Sequence, residues 1–72
     1  MSDLKIRFGK RLRKFRRNKD LTQEQLAELV GISVDFVSNM ERGINGPSFE
    51  TLQKLAEALE VPAVEFFRFP EQ

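Results

Sequence analysis

Lys5, Arg7, Lys10, Arg11, Arg13, Lys14, Arg16, Arg17 and Lys19 put nine of the chain's twelve basic residues into its first nineteen positions, against one acid, Asp3. The net charge of +1 hides this asymmetry, because the remaining residues carry three bases and ten acids. Clustered cations of this kind suit a polyanion, either nucleic acid or an anionic membrane surface, with a merely solvated helix face as the plain alternative. Covalent chemistry has little to work with. Histidine and cysteine are both absent, which removes the commonest general base, the commonest metal ligand and the thiol nucleophile. No glycine-rich phosphate loop occurs and the acids stand singly. The expectation is a binding protein, not an enzyme, with no cofactor, no metal and no dedicated small-molecule ligand.

The elements that carry these residues follow from periodicity and capping. Seventy-two residues, 40% hydrophobic and 32% charged, make one domain, 1–72, small enough to gain from a second copy of itself. No stretch is long and apolar enough for a signal peptide or membrane span, so a soluble, cytoplasmic, nucleoid-associated protein is expected. Leu4, Phe8, Leu12 and Phe15 recur at helical spacing and predict a first helix over roughly 4–18. Gly9 within it signals either a close backbone contact or a tolerated weakness. Thr22 and Gln25 fit a capping box opening a second helix, with Leu26, Ala27 and Val30 inward and a stop at Gly31. Ser33 caps a third, with Val37 and Met40 inward and Gly43 beyond its end. Ile44–Pro47 is a loop. Ser48 caps a fourth helix carrying Leu52, Leu55, Ala56 and Leu59, and a short fifth helix starts at Pro62 and ends before Pro70. The fold class is all-α, a compact bundle of five short helices.

The segment 22–42, "TQEQLAELVGISVDFVSNMER", has the spacing of a helix-turn-helix. Counting from Gln23, Ala27 is fifth, where two helices approach too closely for a larger side chain. Gly31 is ninth, where the turn favours a positive φ. Leu26, Val30, Ile32, Val37 and Met40 fill the positions that pack such a pair onto the rest of a bundle. Val34, Asp35, Ser38 and Asn39 face outward on the third helix without the Lys/Glu ladder of a solvated face. With "RLRKFRRNKDLTQEQLAELVGIS" and "VSNMERG" followed by "PSFETLQKLAEALEV", the chain resembles the phage-repressor and Cro-like (Xre-type) helix-turn-helix regulators from residue 5 to about 67.

That resemblance implies the five-helix, lambda-repressor-like DNA-binding domain, with residues 33–42 as recognition helix, and sequence-specific regulation of transcription on double-stranded DNA. Short members include restriction-modification controller proteins, a same-class alternative; a protein-binding adaptor or antitoxin-like module is an alternative of a different class. The resemblance implies base contacts from Val34, Asp35 and Asn39, with Ser38 beside them. Asn39 can pair bidentately with adenine and Val34 can pack on a thymine methyl. Asp35 either accepts from cytosine or serves the helix N-terminus through its dipole. Backbone phosphates would be met by Gln23, Ser33, Arg42, Asn45, Gly46 and Ser48, with Arg11 the foremost candidate on the first helix. Arg16 and Glu41 match a family ion pair that fixes the recognition helix.

The segment 61–70 holds Phe66, Phe67 and Phe69 within four positions. One short helix has a single inward face, so a homodimer interface is expected there, from Leu59, Val61, Val64, Phe66, Phe67 and Phe69. Such a dimer would set two recognition helices ~34 Å apart on a two-fold operator.

Overall fold

In the computed structural model, which describes residues 3–69, four α-helices are followed by one turn of 3-10 helix: α1 (Asp3–Asn18), α2 (Gln23–Val30), α3 (Val34–Glu41), α4 (Phe49–Leu59) and the segment Ala63–Phe67. No strand occurs among the described residues. Pro70, the last residue of the expected dimerisation segment, lies outside them.

Local hydrogen bonds set the helix starts. The Thr22 hydroxyl accepts from the Gln25 amide at 3.0 Å, while the Gln25 side chain accepts from the Thr22 amide at 2.8 Å, a complete capping box. Ser33 and Ser48 each cap once, accepting from the amides of Phe36 and Thr51. Gly31 ends α2 with φ at 83° and its amide bonded to the Ala27 carbonyl, the left-handed geometry glycine takes without strain. The two other helix ends that go left-handed, Asp20 after α1 (φ 57°) and Glu60 after α4 (φ 60°), use residues that gave no such signal.

The core is one cluster drawn from every element: Phe8 and Leu12; Leu26, Ala27 and Val30; Val37 and Met40; Leu55 and Leu59; and Phe66. Gly9 sits where α1 crosses the end of α3. A methyl group there would run into the Met40 carbonyl oxygen and stand 2.8 Å from that of Glu41. Of the two explanations left open by the sequence, the close backbone approach is the correct one.

The expected fifth α-helix is instead a 3-10 turn. Its bonds run three residues back, Glu65 to Pro62 and Arg68 to Glu65, and Arg68 is already extended. Five residues between Pro62 and that extended exit are too few for a run of α-helical bonds, and the tighter winding drives Phe66 inward. Its fully buried ring lies edge-on to Phe15 at 5.5 Å and tilted against Phe8 at 5.4 Å.

Candidate nucleic-acid interface

The best-ordered polar feature of the molecule joins α1, α2 and α3. Arg16 and Glu41 meet in a two-pronged pair, Nε to Oε2 at 2.6 Å and Nη2 to Oε1 at 3.0 Å. Their side chains are only 10% and 3% exposed. The third guanidinium nitrogen, Nη1, donates to the Leu21 carbonyl at 2.7 Å, tying in the turn that leads to α2. Gln23 completes the set by donating its side-chain amide to Glu41 Oε1 at 3.0 Å. Removing two charges from water is costly, and only such saturation of donors and acceptors offsets it. The network holds the C-terminal end of α3 against α1 and holds the side chain at the start of α2. One N–H and the carbonyl oxygen of Gln23 remain available.

On α3, Val34 and Asp35 are exposed, whereas Ser38 and Asn39 are half-buried beside them. The Asn39 carbonyl accepts from the amides of Ile44 and Asn45, which folds the loop back on the helix end. Its side-chain amide makes no hydrogen bond among the described residues, so both its donor and its acceptor are free. Asp35 stands in the first turn of α3, where its charge complements the helix dipole.

The residues expected at phosphates separate into groups. Arg42, Asn45 and Gly46 are exposed after α3, and Gln23 reaches the same helix end through Glu41. Ser33 spends an oxygen lone pair on its cap but keeps its hydroxyl proton for an outside acceptor. Ser48 is more fully committed, accepting from the Thr51 amide and donating to the Thr51 hydroxyl at 3.1 Å. Arg11 is a correction. Two residues on from Gly9 it lies on the far flank of α1 from α3. There its Nε donates to the Glu65 carbonyl at 3.1 Å and its guanidinium covers the Phe15 ring at 4.9 Å. It anchors the 3-10 segment and is not brought to the surface of α3.

The exposed cations Lys10, Arg13, Lys14 and Arg17 line the outer stripe of α1. Lys19 instead bridges to Glu60, and its hydrogen bond and charge hold the Glu60 carboxyl below the ordinary carboxylate value.

Two residues assigned to a dimer interface are corrected as well. Leu59 and Phe66 are 2% and 0% exposed and belong to the core of a single chain, so neither can touch a partner. Val61 is half-buried and packs on that core. Phe69 is half-buried, edge-on to Phe67 and covered by the Arg7 guanidinium at 4.2 Å. Val64 and Phe67 are the outward residues of the segment, at 59% and 40% exposure. Sequence periodicity overlooked Phe49, the first residue of α4 and 89% exposed. Its place directly after the cap, outside the apolar stripe of α4, was the available signal.

Residues 12–66 match the Helix-turn-helix family HTH_3. The chain belongs to that family. It is 37% identical over 68 residues to control protein C.MunI of Mycoplasma sp, an alignment covering 93% of this chain and 92% of that protein. It is 38% identical over 72 residues to the HTH-type transcriptional regulator PuuR of Escherichia coli, covering all of this chain but 39% of that protein. Its fold matches the crystal structure of the restriction-modification controller protein C.AhdI from Aeromonas hydrophila with a TM-score of 0.85 and 42% identity, covering 93% of this chain and 100% of that one.

In this helix-turn-helix, α2 and α3 are the paired helices, Gly31 is the turn, and Ala27, 4% exposed, is the point of close approach. The chain is a DNA-binding regulator of transcription. Among the described residues no helix is long and apolar enough to cross a membrane.

Proposed function

We propose that residues 1–72 act as one sequence-specific operator-binding unit, with residues 22–42 as its reading motif and a homodimer as its working form in the cytoplasm. The observation that carries this is the unpaired amide of Asn39 on the outer face of α3, beside exposed Val34 and Asp35. In a major groove Asn39 makes the bidentate adenine contact and Val34 the methyl contact, with Ser38 at their edge. Asp35 mainly serves the helix N-terminus, since a carboxylate near phosphates is repelled unless it accepts from cytosine. Gln23, Ser33, Arg42, Asn45 and Gly46 meet phosphates on either side. Val64 and Phe67, left outside the core, belong to the dimer contact. Near-complete overlap with two controller proteins, against partial overlap with PuuR, favours a compact controller-type regulator without a sensor domain.

The test is a pair of substitutions titrated on a selected operator and on random duplex. Asn39→Ala should lose roughly 1–3 kcal/mol on the operator and almost nothing on random DNA. Gln23→Ala should weaken both alike. Equal losses of Asn39→Ala on the two duplexes would remove it as a base reader.

A further inference from the structure

Phe49 is a large side chain set almost entirely in solvent on a helix that otherwise buries its apolar stripe. With Leu52 it forms a ridge shared by two grooves. One groove continues along α4 past Gln53 and Ala56 to Glu57, Val61 and Ala63. The other lies on the opposite side of the ridge, is lined by Leu4, Phe8 and Phe67, and carries Lys5 as its one charged residue. The first groove therefore has a phenyl knob at its start and a hollow walled by two alanines at its end. Eleven residues of α4 set these ends ~16 Å apart along one face.

We infer that a second copy of this chain fills that groove by packing its own α4 antiparallel across it, each Phe49 seated in the other's hollow over Ala56 and Ala63. The inference rests on the homodimer proposed above and concerns only where the two copies meet. A knob at one end and a hollow at the other satisfy each other reciprocally under a two-fold axis midway between them, at Gln53, as an isologous contact requires. Gln53 is exposed, and its amide can donate to and accept from its own copy across that axis. The same rotation brings Lys5, which runs beside Gly46 at the Phe49 end, opposite Glu57 of the other copy at the hollow end. Opposite charges thus face each other at both rims of an apolar seam, the arrangement expected of a protein interface. Phe67 on the second groove and Val64 on the neighbouring 3-10 segment extend the same apolar surface.

The chain has no cysteine, so a single introduced thiol reports the axis. Gln53→Cys, mildly oxidised, should run mainly as a disulfide-linked dimer on a non-reducing gel, because only side chains at the axis bring their own copies within bonding distance. Val64→Cys should cross-link poorly. Phe49→Ala should weaken self-association on the order of tenfold or more by analytical ultracentrifugation, with helicity and melting of the dilute monomer unchanged. If the native chain sediments as a dimer but Gln53→Cys stays uncross-linked, or Phe49→Ala leaves association unchanged, the α4 seam is overturned and the dimer stands. A native chain that sediments as a monomer at tens of micromolar overturns the dimer, and the seam with it.

Discussion

Replacing Glu41 by methionine removes the carboxylate on which three elements converge. Arg16 then keeps its bond to the Leu21 carbonyl but loses both oxygens that offset its burial, and the Gln23 amide loses its acceptor. Breaking one partner of a buried pair costs roughly 3–5 kcal/mol. A chain of 72 residues has a total stability of roughly 4–11 kcal/mol at ~0.05–0.15 kcal/mol per residue, so Glu41→Met should be close to unfolded. Arg16→Met strands the carboxylate and should cost a similar amount. The double variant removes both charges and leaves only neutral groups short of a partner, the Leu21 carbonyl and the Gln23 amide, at about 1 kcal/mol each. It should therefore be more stable than either single variant, with a coupling of roughly 3 kcal/mol. Urea unfolding followed by far-UV circular dichroism measures all four proteins, with sucrose added equally to each to keep the single variants folded. Additive losses would refute the account of the network.

Gly9→Ala should destabilise by on the order of 1–3 kcal/mol, although alanine in a helix interior ordinarily gains about 1 kcal/mol, because its methyl group meets the carbonyl oxygens of Met40 and Glu41; a rise in melting temperature would refute the close crossing of α1 and α3. Ala27→Leu should cost roughly 1–3 kcal/mol by forcing α2 from its neighbours, checked by the same melting curves. The Lys19–Glu60 bridge lowers the Glu60 pKa in the folded chain, so its contribution is present above the ordinary carboxylate value and is lost as pH falls through the folded value. Glu60→Gln should accordingly be less stable than the native chain at neutral pH, with the gap closing in acid and in high salt; a gap independent of pH would exclude the bridge as its cause.

What could be read from sequence divides along the range of the interactions involved. The caps at Thr22, Ser33 and Ser48 were legible because each is closed by a group three residues away. Gly31 was legible because its conformation suits glycine. Arg16 and Glu41, 25 residues apart, were paired only through a family resemblance, and nothing local announced that Gln23 joins them. Arg11 was misassigned because its partner is the Glu65 backbone, 54 residues away, and composition makes one arginine of a basic run look like the next. Phe66 could not be told from Phe67 without the winding of the last turn: the tighter 3-10 twist sends Phe66 in and leaves Phe67 out. Leu59 was recognised as part of the α4 stripe, but that stripe is covered within one chain and leaves Phe49 as the residue in solvent.

The central claim, that α3 reads DNA sequence from a two-fold dimer, is tested most directly by selecting bound duplexes from a random library with the native chain and footprinting the enriched site. The account predicts an inverted repeat whose half-sites lie one helical turn apart, ~34 Å, with an A·T pair in each half-site that loses its preference in Asn39→Ala. Enrichment of no sequence, or of a site without two-fold symmetry, would contradict it.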